Sequence, residues 1–202
     1  REAERLLAPL ARDPQAPAVV RLRLGIARHG QNRLEQAMAC YLPLLAGPSC
    51  EDDALPQYGL ACLELGLGAH WLQLLDRLPA AACSSPRLRY LRGLARLGQG
   101  AFAAGWDDHE QRFAAGCSSL PPLPVPIWQG EPVAASSQLL LLCEQGLGDG
   151  LQFLRFAPLL RPAFARITLL APEPLRRVAE ASGLVDAVIG QADPLPETLS
   201  HA

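Results

Sequence analysis

Three glycines recur at a constant interval in the first half of the chain. Gly25, Gly59 and Gly93 are 34 residues apart. The two residues after each glycine keep the same character, large and apolar and then alanine: Ile26-Ala27, Leu60-Ala61 and Leu94-Ala95. A period of this length predicts stacked helix pairs, because one pair can bury its apolar face only against its neighbours.

Each unit has the apolar spacing of two helices joined by a short turn. In the first unit, Val20, Leu24 and Ala27 share one helix face, and a second face begins at Leu34. The turns are predicted at 30–32, 66–68 and 98–100. The positions twelve and sixteen residues after the glycines hold Ala37, Trp71 and Gly105, and Tyr41, Leu75 and His109.

This pattern resembles the tetratricopeptide repeat family. The matching residues are Leu24-Gly25, Ala37 and Tyr41 in the first unit, Tyr58-Gly59 in the second and Gly93 in the third. The chain departs from the family at Trp71 and Gly105, where alanine is usual. The resemblance implies a concave surface for a protein or peptide partner. The alternative is that the repeats only brace a neighbouring domain.

A proline-rich segment separates two kinds of sequence pattern. Residues 121–126 include four prolines, which end a helix and favour an extended chain. We therefore predict helical repeats at 1–118, a linker at 119–130 and a partial α/β domain at 131–202.

Strand and helix signals alternate after the linker. Apolar runs predict strands at 138–143, 166–170 and 184–189, and helices that end near Pro162 and at Gly183 lie between them. This order predicts a parallel, Rossmann-like sheet with right-handed crossovers.

The loop after the first predicted strand is rich in glycine. Gly146 and Gly148 would let a ligand approach the backbone at a helix start, where free N–H groups and the helix dipole meet it. The dinucleotide fingerprint needs a glycine where this chain has Leu151, and a P-loop needs a lysine, which this chain lacks. A nicotinamide enzyme with Glu173 as the ribose ligand is an alternative that the glycine spacing disfavours.

The wider segment carries a more specific likeness. Its motifs are Trp128-x-Gly130, Glu144-Gln145-Gly146-Leu147-Gly148-Asp149-x-Leu151-Gln152-Phe153-x-Arg155-Phe156-x-Pro158 and Gly183-Leu184-Val185-Asp186-x-Val188-Ile189. They resemble bacterial proteins that join tetratricopeptide repeats to a glycosyltransferase domain of the heptosyltransferase or O-GlcNAc-transferase type. The resemblance implies a GT-B fold, in which one Rossmann-like half holds a glycan or protein acceptor and the other holds a nucleotide-sugar donor.

Asp149 is the predicted catalytic residue. The resemblance implies that it is the base that deprotonates the acceptor hydroxyl, a role that suits a carboxylate near a cleft. The alternative is that Asp149 only caps the following helix. Glu144, at the strand end, faces the cleft or satisfies loop N–H groups. The predicted substrate-binding residues are Gln145, Gly146, Leu147, Gly148 and Arg155.

Two functions remain open on the sequence alone. The first is a fragment of a glycosyltransferase, which begins with Arg1 rather than methionine and which should not turn over without a donor half. The second is a non-catalytic scaffold whose repeats bind a partner protein. Asparagines that line the peptide groove of O-GlcNAc-transferase-like proteins are replaced here by Arg23, Gln57 and Leu91.

Charge, apolar run length and cysteine content bear on the partners, metal sites and location of the protein. A net charge of −2 without a basic stripe disfavours a nucleic-acid partner. No apolar run is long enough to predict a membrane span. Six cysteines without zinc-like spacing predict reduced, buried or half-buried thiols, no metal and a cytoplasmic protein. No cofactor is predicted in this chain itself. The four histidines are predicted to be surface or turn residues, and the acidic cluster at 107–110 is predicted to be solvent-exposed.

Overall fold

The structure, a computed structural model, describes residues 1–45 and 54–202 and divides into two units, Arg1–Cys117 and Ser118–Ala202. The first unit consists of packed helices and the second is a parallel, Rossmann-like α/β segment, which confirms the predicted fold class. Cys50 lies outside the described residues. Within the described ranges, no helix combines the length and the apolarity that crossing a bilayer requires.

The helical unit is a series of helix pairs that follows a first helix. The helices are α1 Glu2–Leu10, α2 Ala18–His29, α3 Leu34–Tyr41, α4 Leu55–Glu64, α5 Gly68–Leu75, α6 Pro86–Gly98 and α7 Phe102–His109. The second helix of each pair begins 34 residues after the previous one. The residues with positive φ in the three turns, Asn32, Gly66 and Gly100, keep the same interval. The predicted period is therefore present in the turns as well as in the helices.

Each repeat glycine lies where the second helix of its pair approaches the first. A Cβ atom on Gly25 would overlap the ring of Tyr41, and one on Gly59 would lie 2.6 Å from Cζ2 of Trp71. Tyr41 stands sixteen residues after its glycine and Trp71 twelve residues after its own. Trp71, which departs from the family pattern, thus supplies the volume that Tyr41 supplies in the first pair.

In the third pair, backbone atoms of the second helix lie against the repeat glycine, where the first two pairs have an aromatic ring. A Cβ atom on Gly93 would lie 2.8 Å from the amide nitrogen of His109 and 2.9 Å from the carbonyl oxygen of Gly105. A Cβ atom on Gly105 would in turn lie 2.8 Å from Cδ2 of Leu97. The two glycines therefore allow the backbones of α6 and α7 to approach closely.

Gly93→Ala is expected to lower the free energy of unfolding by about 2 kcal/mol, because backbone atoms that cannot rotate away meet the new methyl group. Gly98, at the end of the same helix, has no atom within 4 Å of an added Cβ. Gly98→Ala is therefore expected to leave this free energy unchanged or to raise it by up to about 1 kcal/mol. Urea unfolding of the two variants measures both effects, and equal stability of Gly93→Ala and the parent would contradict the close approach.

Asp108 corrects the prediction for the acidic cluster. Its side chain is buried at 3% exposure and accepts hydrogen bonds from Nε of Arg92 at 2.6 Å and Nη1 of Arg96 at 2.6 Å, with Nε of Arg89 at 3.4 Å. Burial by itself raises the pKa of Asp108, but the hydrogen bond from Arg92 and the charges of Arg92 and Arg96 outweigh it. The pKa therefore lies below its ordinary value, and Asp108 is a buried anion inside a ring of arginines.

The burial of one cysteine differs from the prediction, and one histidine at a turn is largely buried. His29 is the last residue of α2 before the turn, and its Nε2 lies 3.0 Å from Oε2 of Glu64 in α4. Cys117 is exposed, since it follows the last helical turn of the unit. Three other cysteines are buried as free thiols: Cys40, Cys62 and Cys83.

The α/β unit alternates strands and helices as β1 Gln138–Leu142, α8 Leu147–Leu154, β2 Arg166–Leu170, α9 Glu173–Ser182 and β3 Ala187–Ile189. All pairs are parallel and the sheet order is β1-β2-β3. Gly183 ends α9 in the left-handed conformation, as predicted. Alternate residues of β1 and β2 pack under α8 and α9, among them Leu141 and Leu169.

The third strand is shorter than predicted because Asp186 uses its side chain at the strand entrance. Oδ2 of Asp186 accepts a hydrogen bond from the amide of Ile167 at 2.7 Å, and Oδ1 accepts one from Arg161 at 2.9 Å. The amide of Ile167 and the guanidinium of Arg161 hold the pKa of Asp186 below its usual value. Asp186 therefore joins β3 to β2 before the regular ladder begins.

The last residues of the chain pair along the free edge of β1. Leu139 and His201 form a parallel bridge, and the amide of Leu140 donates to the carbonyl oxygen of His201 at 2.9 Å. Ala202 donates to the carbonyl oxygen of Pro126 at 3.0 Å. Part of the segment predicted as a linker is thus hydrogen-bonded into the α/β unit.

Candidate functional site

A cavity of about 460 Å³ lies at the carboxyl ends of the strands in the α/β unit. Its walls are the residues that end or follow the strands, Leu142, Cys143, Glu144, Leu170, Pro172 and Gln191, and the segment Ser119, Leu120 and Pro121. Open parallel sheets bind ligands at this edge, and the volume falls within the range of roughly 300–1,000 Å³ that is typical of small-molecule sites.

The cavity is lined by apolar side chains and by hydrogen-bonding groups in comparable measure. Glu144, Gln191 and Ser119 contribute a carboxyl, an amide and a hydroxyl group, and no basic side chain is among the described residues that line it. Burial raises the pKa of the Cys143 thiol, so this group stays protonated and is a poor nucleophile at neutral pH. This chemistry suits a neutral ligand with several hydroxyl groups better than a phosphate.

Asp149 lies in the first turn of α8 and does not line the cavity. Its Oδ2 accepts a hydrogen bond from the amide of Gly146 at 3.2 Å, so the carboxylate closes the loop that leads from Glu144 into the helix. Asp149 is nevertheless exposed. Asp149 thus caps the helix start from within the first turn, by accepting from Gly146, and not from in front of the helix as predicted. Its carboxylate is still accessible to a ligand.

The two glycines within α8, Gly148 and Gly150, have different surroundings. A Cβ atom on Gly150 would lie 2.7 Å from Cδ1 of Leu175 and 3.1 Å from Sγ of Cys143, so close packing of α8 requires this glycine. A Cβ atom on Gly148 would have no atom within 4 Å. Packing therefore accounts for Gly150 but not for Gly148.

No match to this chain is found among family models, curated proteins or solved structures.

The remaining predicted site residues separate into two places. Gln145 and Leu147 are exposed beside Gly146 at the start of α8. Arg155 follows the last residue of this eight-residue helix, about 12 Å along its axis, and its guanidinium lies 4.7 Å from the ring centre of Phe156. The structure does not bring Arg155 to the glycine loop, and its role in binding an acceptor stays a prediction.

Sequence reasoning missed several residues of the cavity wall. Cys143 and Gln191 each follow the carboxyl end of a strand, and this position is a signal that could have found them. Ser119 to Pro121 gave no such signal, because prolines in a connecting segment are typical of linkers. Within the described part of the chain, no group of three or more His, Cys, Asp or Glu is placed to hold a metal ion.

Proposed function

We propose that the α/β unit is the acceptor-binding part of a glycosyltransferase, which transfers a sugar from a nucleotide-sugar donor to an acceptor hydroxyl. The observation that carries this proposal is the cavity at the carboxyl ends of β1 and β2. Its walls offer neutral and acidic hydrogen-bonding groups, which suit the hydroxyl groups of a glycan. The lack of basic side chains among its described lining residues favours an acceptor over the diphosphate of the donor.

Asp149 is the proposed general base. Its carboxylate takes the proton of the acceptor hydroxyl as the acceptor oxygen bonds to the anomeric carbon, and the nucleotide leaves with the electrons of the broken bond. The hydrogen bond from Gly146 supports this role, because it holds the carboxylate beside the loop that also carries Glu144. The space beside Gly148, where an added Cβ would have no atom within 4 Å, leaves room for an acceptor at this turn.

Transfer of a radiolabelled sugar from a panel of nucleotide-sugars to bacterial glycans and proteins tests the proposal. We expect transfer by a longer protein that joins this chain to a donor-binding half, and none by residues 1–202 alone. Tight binding of a nucleotide-sugar by residues 1–202 would contradict the assignment to the acceptor side. A longer protein that transfers no sugar from any donor would contradict the activity.

A second candidate function is that of a protein scaffold, favoured by an exposed aromatic pair. Phe102 and Trp106 stand one turn apart on α7 and are 63% and 46% exposed. Such residues are common at the centres of protein interfaces. This candidate would be supported if one protein were captured in equimolar amount by the parent chain and not by a double variant with serine at both positions, while sugar transfer was absent.

The cytoplasm is the proposed location. The described cysteines are free thiols, three of them buried, and this state is usual in a reducing compartment.

A further inference from the structure

The first and third helix pairs carry arginines at the same two positions of the repeat. Arg21 and Arg28 of α2 lie two repeats before Arg89 and Arg96 of α6. The second pair has the apolar residues Leu55 and Cys62 at these positions, and both are fully buried. The arginines of the first and third pairs therefore occupy repeat positions that belong to the apolar core in the second pair.

The third pair shows what this arrangement of arginines holds. Arg96 donates to the carboxylate of Asp108 at 2.6 Å, and Nε of Arg89 lies 3.4 Å from it. Arg92, whose counterpart in the first pair is Leu24, adds two hydrogen bonds at 2.6 and 2.8 Å. Hydrogen bonds of this kind between guanidinium and carboxylate are both strong and directional. The site is therefore a carboxylate site that the chain fills with its own side chain.

The first pair has a thiol at the position of that carboxylate. Cys40 lies two repeats before Asp108, and its Sγ accepts a hydrogen bond from Nη1 of Arg28 at 3.3 Å. The other contacts of these guanidiniums are equally long: Arg28 lies 3.4 Å from the carbonyl oxygen of Gln36 and 3.4 Å from Oε1 of Glu4, and Arg21 lies 3.4 Å from the carbonyl oxygen of Asp13. These long contacts leave both guanidiniums with capacity for a closer acceptor.

A cavity of about 270 Å³ opens at this point of the helical unit. Arg12, Arg21, Arg28 and Cys40 line it together with alanines and one leucine, and no acidic side chain is among its described lining residues. Glu4 contacts Nε of Arg28 at 3.4 Å, but its carboxylate is shared with Arg33 and lies outside the lining. The cavity is therefore more positive than the equivalent place in the third pair.

We propose that this cavity binds the carboxylate of a ligand between Arg21 and Arg28, with Arg12 at its rim. The carboxylate takes the place that the Asp108 side chain takes in the third pair. The volume limits the enclosed part to the carboxylate and a few carbon atoms, since whole drug-sized ligands need roughly 300 Å³ or more. A small organic acid and an acidic side chain of a peptide share this chemistry.

Calorimetric titration of the full chain tests the proposal with three probes, namely succinate, acetyl-Ala-Asp-Ala-amide and inorganic phosphate. The ionic strength is held constant with sodium chloride, because salt screens such contacts. We expect saturable binding of at least one carboxylate probe, and the stronger of the two identifies the source of the carboxylate. Phosphate that binds more tightly than both, or no saturation by either carboxylate at about 20 mM, would overturn the assignment.

Three variants and one control locate the binding. Arg21→Gln is expected to weaken carboxylate binding by at least about fivefold, whereas Arg23→Gln, which changes an exposed arginine of the same helix, is expected to change it less than twofold. Cys40→Asp places the carboxylate of the third pair in the first and is expected to abolish binding with the helical circular dichroism retained. Cys40→Ala is expected to keep binding within twofold. Unchanged binding in Arg21→Gln would refute the site, even if Cys40→Asp did not fold.

Discussion

Asp149→Asn is expected to lower the rate of sugar transfer by about 10²–10⁴-fold in a protein that carries this chain with a donor half, because an amide cannot accept the proton of the acceptor hydroxyl. In the parent, the Asp149 carboxylate accepts a hydrogen bond from the amide of Gly146 at 3.2 Å. The side-chain oxygen of asparagine can accept the same hydrogen bond. The free energy of unfolding is therefore expected to change by less than about 0.5 kcal/mol.

Asp149→Ala is the companion variant that separates catalysis from capping. It removes both the base and the acceptor for Gly146, so we expect the same loss of transfer together with a loss of about 1 kcal/mol in unfolding free energy. Initial rates and urea unfolding of the two proteins measure the two effects. Full transfer by Asp149→Asn would show that Asp149 is a helix cap and would end its assignment as a base.

The second large effect is expected in the helical unit. Asp108→Asn should lower the free energy of unfolding by about 3 kcal/mol, because it leaves the positive charges of Arg89, Arg92 and Arg96 without the carboxylate that they surround. The three arginine side chains are 26% to 38% exposed, so water moderates the loss. Asp107→Asn, at the exposed neighbouring position, is the control and is expected to change stability by less than about 0.5 kcal/mol.

The pH dependence of stability checks the same interaction. The pKa of Asp108 is lowered in the folded protein, so its contribution is complete above the unfolded value of about 3.9 and is lost as the pH falls towards the lower folded value. The stability difference between the parent and Asp108→Asn is therefore expected to stay constant above about pH 5 and to shrink as the pH falls below about 4. An undiminished difference over this range would mean that the carboxylate charge is not what stabilises the site.

The repeat architecture could be predicted because its signals are local. Close approach of two helices within one unit requires a glycine at the crossing, such as Gly59. The left-handed conformation in the turn of the same unit favours a glycine such as Gly66. The strands at 138–142 and 166–170 were likewise visible as short apolar runs between turn and proline signals. The ends of α9 followed from Pro172 and Gly183.

The candidate site could be predicted only in part. The position of Asp149 and the glycines at a helix start followed from the strand, loop and helix order. The cavity wall did not, because Ser119 to Pro121 come from a segment without periodicity and meet the strand ends through contacts distant in sequence. The separation of Arg155 from the loop depended on where α8 ends, which sequence patterns place poorly.

The sequence by itself determined the 34-residue period, the proline boundary and the parallel α/β order, since each arises from the spacing of residues within one or two elements. Only the tertiary structure decided the burial of Asp108 among the arginines of α6 and the positions of the two cavities. It also decided that Trp71 packs against the repeat glycine of the second pair where Tyr41 does so in the first. The physical reason is that burial and charge pairing depend on which side chains face each other across elements, and spacing along the chain specifies the faces of an element but not what packs against them.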